Sequence, residues 1–142
     1  MIVNRIGIWA NDTVEVIYFT AAADSAGNVL DGSKSYTITF PAGQNPSDVC
    51  TAFWSVTMVG LPDYLVIDNP LDRYNLNNVS PMATNTDGSL VTGFGPDLLE
   101  GVNEANWLPT EAGSGFSATF RCYRPTNEVR EGTWFAPDIV AQ

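Results

Sequence analysis

Two carboxylates, an amide, an arginine and a tyrosine crowd into Asp68-Asn69-Pro70-Leu71-Asp72-Arg73-Tyr74, where an apolar run gives way to a turn. A proline-fixed turn of this composition can hold a sugar or a small acid, because arginine offers a forked donor and aspartate a matching acceptor. The same residues fit a simpler role in which Arg73 pairs with an aspartate to fix the turn. Asp68, Asn69 and Asp72 present oxygens of the kind hard cations take, but their spacing is not that of an EF-hand loop, and no metal is expected. Asn106-Trp107-Leu108-Pro109 is a second constellation, since an exposed indole stacks on a sugar face while a neighbouring amide bonds its hydroxyls. A packing plug is the alternative for Trp107, as it is for Trp134. Arg121 and Tyr123 lie two apart on a late alternating strand and share its outward face. They contact a ligand if that face lines a concavity, and are ordinary sheet surface otherwise.

Catalytic chemistry is narrowed by what is missing. The chain has no histidine, which removes imidazole triads and the commonest ligand for zinc, copper and iron. Carboxylates, tyrosines, Lys34 and two cysteines remain. A glycosidase-like reaction needs two carboxylates facing each other across a cleft. Asp63, Asp68, Asp72, Glu100 and Glu104 are available, but no spacing forces any two of them to meet. Lys34, the only lysine, sits among turn residues, so a Schiff-base role is not expected. No cofactor is expected.

The 142 residues suit one domain, 1–142, with a real core. Sixteen acids against six bases give a net charge of -10, and the acids are spread evenly along the chain. Such a surface repels phosphate backbones and anionic bilayers, so neither nucleic acid nor membrane is an expected partner. Cys50 and Cys122 each fall on the apolar parity of a strand, and buried free thiols are the expected state. A disulfide between strands is the alternative, and belongs to an exported chain. Met1 to Trp9 is too short and too interrupted for a signal-peptide core, and no stretch reaches membrane-spanning length. The chain as given therefore reads as cytoplasmic, or as exported if an upstream segment belongs to it.

The elements that must position these residues are short strands. Cys50 to Asn75 organises the chain: Ala52, Trp54, Val56 and Met58 alternate with Phe53, Ser55, Thr57 and Val59 as a central strand. Leu61-Pro62 ends it, and Tyr64 to Ile67 reads as a second apolar strand completing a core hairpin. Upstream, Thr13 to Ala23 and Tyr36 to Phe40 read as another hairpin across Asp24-Ser25-Ala26-Gly27-Asn28 and Asp31-Gly32. Downstream, a short edge strand near Asn75 precedes Asn85-Thr86-Asp87-Gly88, a hairpin turn of type I′ sequence. Leu90 to Phe94 and Phe116 to Tyr123 are the later strands, and Asn127 to Arg130 forms a single helical turn capped by Gly132. The fold class expected is all-β: an antiparallel, jelly-roll-like β-sandwich with at most one short helical turn.

Six short motifs occur in a characteristic order: Ala52 to Ser55, Asn69-Pro70 with Arg73-Tyr74, Asn85 with Asp87 to Leu90, Asn106 to Pro109, Arg121 with Tyr123 and Pro125, and Gly132 with Trp134 and Pro137. In this the chain resembles the domain of unknown function 1214 family, over roughly Asn11 to Pro137. The resemblance implies a jelly-roll β-sandwich, and an upstream domain of unknown function 1254, often behind an export signal, in longer members. It brings no catalytic residues. The function expected is a non-catalytic binding or assembly module for a carbohydrate-like or other small polar ligand, met by Trp107, Arg73 and their neighbours. A carboxylate-based hydrolase or lyase on a sugar-like substrate, and a structural homo-oligomer subunit, are the alternatives.

Overall fold

The computed structural model describes residues 12–142 and the backbone of Ile2 and Val3. Met1 to Trp9, read above for an export signal, and Asn11 lie otherwise outside the described residues. In chain order the strands are β1 (Ile2–Val3), β2 (Val16–Ala21), β3 (Tyr36–Phe40), β4 (Cys50–Gly60), β5 (Asn75–Asn77), β6 (Leu90–Gly95), β7 (Trp107–Pro109), β8 (Phe116–Pro125) and β9 (Val140–Ala141). They form a five-stranded sheet in the order β1-β2-β8-β4-β5 and a four-stranded sheet in the order β7-β6-β3-β9. The chain is thus mostly β and divided between two sheets.

Three features of pairing and helix content differ from the sequence expectation. Pairing is mostly antiparallel, but β7 runs parallel to β6, with Gly93 opposite Trp107. Helix is not limited to one turn: α1 (Pro46–Val49) precedes β4, α2 (Asn127–Glu131) follows β8, and Glu104–Asn106 is a 3-10 turn. Proline at the start of α1 supplies a preset φ, and Gly132, at φ 74, caps α2 as its sequence foretold. The third difference concerns partners. β2 and β3 lie in different sheets, so the stretch they bound is a crossover and not a hairpin. Gly88 closes its turn at φ 84 with its N–H on the Asn85 carbonyl, but the strand that follows pairs with β3, not with the strand before it.

β4 is the long strand the alternation foretold, and its true neighbours are β8 and β5. Tyr64 to Ile67 is not a core strand. It makes one isolated bridge, Val59 with Val66, and Tyr64, Leu65 and Val66 are 70%, 67% and 56% exposed. Only Ile67 turns inward. The register of β4 against β8 slips between Cys50 and Phe53, the signature of a bulge. Ala52 is therefore exposed, although its parity matches that of buried Trp54, Val56 and Met58.

The inward faces of both sheets feed one core, centred on aromatic rings. Phe40 of β3 meets Phe120 of β8 at 6.0 Å between centroids, and Tyr36 meets Phe116 edge-on at 5.7 Å. Trp134, from the tail, is buried and packs edge-on against Phe19 at 5.7 Å, so it is a plug and not a surface platform. Cys50 and Cys122 are joined in a disulfide, which replaces the free thiols expected above. No parity rule reveals this pairing, because it depends on α1 delivering Cys50 beside the middle of a strand 72 residues away.

Candidate functional site

The loop from Asp68 to Tyr74 is built by its amide. Asn69 Nδ2 donates to the Ile67 and Arg73 carbonyls, each at 3.0 Å, while its Oδ1 accepts the Leu71 and Arg73 amides, each at 3.2 Å. One side chain thus satisfies backbone groups that no strand partner reaches. The Arg73 guanidinium then spans to the second constellation, donating to the Glu104 carbonyl at 2.5 Å and the Trp107 carbonyl at 2.9 Å. The structure brings Arg73 and Trp107 together, but through main-chain atoms. Arg73 clamps the 3-10 turn to the loop, rather than pairing with Asp68 or Asp72 as the simpler role proposed. Asp72 adopts φ 48 and accepts the Tyr74 hydroxyl at 3.2 Å. Partial burial, and then the Asp72 and Asp68 carboxylates, raise the Tyr74 phenol above its ordinary value.

Asn106 and Trp107 are consumed in the same way. Asn106 is buried at 2% exposure, with Nδ2 on the Ala83 carbonyl at 2.7 Å and the Val91 carbonyl at 2.9 Å, and Oδ1 accepting the Ala83 amide at 2.9 Å. Trp107 is half-buried and gives its indole N–H to the Gly95 carbonyl at 3.1 Å. An indole and amide so committed do not form the open carbohydrate platform expected there. Replacing Asn106, itself buried, with alanine strands main-chain groups of Ala83 and Val91, and is expected to cost about 2–3 kcal/mol. Thermal unfolding of Asn106→Ala should show a melting temperature lower by about 4–10 °C. An unchanged melting temperature would remove the amide from this scaffolding role.

Arg121 and Tyr123 have a different setting, on the solvent-side face of the five-stranded sheet. Cross-strand register places Tyr18, Arg121, Ser55 and Asn77 in one row, with Val16, Tyr123 and Phe53 in the next. Directly opposed residues share a face, so the face carries an arginine flanked by two tyrosines and a phenylalanine. Phe53 meets Tyr123 edge-on at 5.7 Å and is 38% exposed. Arg121 Nη1 donates to Thr57 Oγ1 at 3.0 Å, which holds the guanidinium along the sheet. Interaction with the Tyr18 hydroxyl, and then burial, raise the Tyr123 phenol, with Arg121 acting in the opposite direction. The Tyr123 phenol is thus kept as a neutral donor at ordinary pH. Tyr18 and Phe53 were not among the residues foreseen. The signal available for them was parity on β2 and β4, but the neighbouring strand was not legible.

Among the described residues no group of three or more His, Cys, Asp or Glu side chains could hold a metal ion. Asp63, Asp68, Asp72, Glu100 and Glu104 are all exposed. Asp24, Asp31, Asp87 and Glu128 have carboxyls held below their usual range, chiefly by hydrogen bonds in their own turns or helix start. That is the direction of a turn carboxylate, and opposite to the raised value that suits a general acid. No described helix is long and apolar enough to cross a membrane.

Residues 15–127 match the family described as a protein of unknown function (DUF1214). The chain belongs to that family. Among solved structures, a Vibrio parahaemolyticus protein is similar over 96% of this chain and 33% of its own, at 27% identity and a TM-score of 0.80. A putative uncharacterized protein from Burkholderia cenocepacia matches 93% of this chain and 31% of its own, at 17% identity and a TM-score of 0.61, a likeness of fold. This DUF1214 chain thus spans about a third of the length of either structure. No match is found among curated proteins. The family motifs acquire physical roles here. Asn69, Arg73 and Asn106 stitch loops to loops, and Asp87 accepts the Ser89 amide at 2.9 Å and the Ser89 hydroxyl at 2.7 Å. Arg121 and Tyr123 are motif residues on the outward parity of β8, and both are half-buried.

Proposed function

We propose that this DUF1214 domain is a non-catalytic binding module with a jelly-roll-like sandwich architecture, whose ligand is a carbohydrate-like or other small polar molecule. The site is the outward face of the five-stranded sheet, with Arg121 as forked donor and Tyr18, Tyr123 and Phe53 as stacking and hydroxyl partners. The observation that carries this reading is the register that sets Arg121 opposite Tyr18 and on one face with Tyr123 and Phe53, where Arg121 and both tyrosines are half-buried and Phe53 is 38% exposed. Arg73, Asn69 and Asn106 hold the scaffold, and Trp107 is spent on the Gly95 carbonyl, so the ligand contacts pass to the sheet face. Thermal-shift titration against neutral sugars, sugar acids, small carboxylates and calcium tests it, because a ligand selective for the native state raises its melting temperature by mass action. A shift that Arg121→Gln and Tyr123→Phe each remove, while Arg73→Gln lowers stability without removing it, is the expected result. A silent screen, or a shift indifferent to both sheet-face variants, would sink this reading.

One observation favours assembly as a second role. Tyr64, Leu65 and Val66 stand out consecutively on one loop, and Tyr64 holds φ 57. A bulky residue in the left-handed region costs conformational energy, which points to a contact rather than to a filler loop. Tyr64→Ser with Leu65→Ser should leave the monomer folded and reduce any concentration-dependent association seen in sedimentation.

A further inference from the structure

A groove of about 590 Å³ opens where β2, β4 and β8 begin or end, lined by Val14, Glu15, Val16, Ala52, Tyr123 and Arg124. Alternation cannot place Tyr123 and Arg124 on one wall, because successive strand residues point to opposite faces. Two local departures do so. Arg124 adopts φ 51, and β4 bulges between Cys50 and Phe53 directly across from it. The unusual backbone is held from both sides: the Arg124 amide donates to the Glu15 carbonyl at 2.8 Å, and Thr51 Oγ1 donates to the Arg124 carbonyl at 2.8 Å. Bulges and left-handed non-glycine residues gather where a side chain must be re-aimed for a task.

The side chain so aimed is an exposed arginine whose guanidinium makes no hydrogen bond or ion pair among the described residues. Glu15 is likewise exposed, with its carboxylate unpaired among them. Apolar residues line the same groove, with Val14 50% exposed and Ala52 exposed. The groove therefore offers a cation, an anion and an apolar surface in one place. A plain anion is opposed by the net charge of -10, and a plain cation meets Arg124. A zwitterion carries no net charge for the field to repel, and it satisfies both residues at once. We infer that this groove binds a small zwitterion with an apolar body, of the class of free apolar amino acids and dipeptides, with the carboxylate on Arg124 and the ammonium on Glu15. The volume falls within the range of small-molecule sites. This site shares Tyr123 with the sugar-like reading of the sheet face but takes its charged contacts from Arg124 and Glu15 instead of Arg121, so either can fail alone.

Isothermal titration of the full chain with leucyl-phenylalanine tests the inference, alongside the N-acetylated peptide, the C-amidated peptide and the doubly blocked form. The free dipeptide should bind, and each single block should weaken it by about tenfold. Arg124→Gln should erase the penalty for amidation and leave that for acetylation. Glu15→Gln should do the reverse. Both variants change exposed side chains, and unaltered denaturant unfolding would show that the scaffold is intact. No measurable binding of the free dipeptide, equal binding of all four forms, or variants that leave the discrimination unchanged would each overturn the inference. Arg121→Gln serves as the separating control, since it should abolish a sugar-dependent shift without touching dipeptide binding.

Discussion

Phe120→Ala is expected to remove about 4–5 kcal/mol of stability, the high end for a buried aromatic truncation. Phe120 is 2% exposed and sits where four other rings converge. Its centroid lies 6.0 Å from Phe19, 6.0 Å from Phe40, 6.4 Å from Trp54 and 6.0 Å from Trp134. Those rings come from both sheets and from the C-terminal segment, so no single element can move in to fill the space. The cost is the transfer energy of the lost ring plus a cavity that cannot collapse. A domain with an ordinary stability of about 5–15 kcal/mol would be left marginal by it. Denaturant unfolding is the measurement, with the midpoint falling and the slope unchanged. Phe120→Leu, which keeps most of the volume, should lose much less. Equal losses for the two variants, or a loss under about 1 kcal/mol for alanine, would show that the sheets do not share this core.

The same ring cluster shows how far the sequence could be read. The alternation of Trp54, Val56 and Met58, and of Phe116, Ala118, Phe120 and Cys122, gave true strands with the right face inward, because a period of two is local. Sheet membership is not local. β2 and β3 looked like a hairpin because turn residues lie between them, yet their partners are β8 and β6. Tyr64 to Ile67 failed for a different reason. An apolar run has the same hydropathy whether it is core or a knob in solvent, and only the neighbours decide. The candidate site divides along the same line. Asn69, Arg73, Asn106 and Trp107 have the chemistry of sugar contacts, but loops carry orphan backbone groups that must be satisfied, and these side chains are the nearest donors and acceptors. Arg121 and Tyr123 were legible as outward neighbours. Tyr18, Phe53 and the bulge that re-aims Arg124 needed the register.

The disulfide carries the second large effect, because it ties the start of β4 to the middle of β8 across 72 residues of chain. Closing a loop of that length restricts the unfolded ensemble by about 4 kcal/mol in the chain-entropy account. Cys50→Ala with Cys122→Ala should therefore lower the stability by about 4 kcal/mol, and the loss should be close to that of either single variant, since one broken partner already frees the chain. Reduction offers an independent route to the same number. Cys50 is 5% exposed and Cys122 is fully buried, so a thiolate cannot reach either sulfur without local opening. Dithiothreitol should leave the native protein oxidised for long periods and reduce it quickly once denaturant approaches the midpoint. Rapid reduction of the folded protein would place the bridge on a part of the surface that opens freely, and a stability indifferent to both alanines would strip it of its structural role. The expected outcome also bears on where the domain works. A fold that draws this much of its stability from a bridge is suited to an oxidising compartment, whereas glutathione in a reducing one would continually draw the opened chains away.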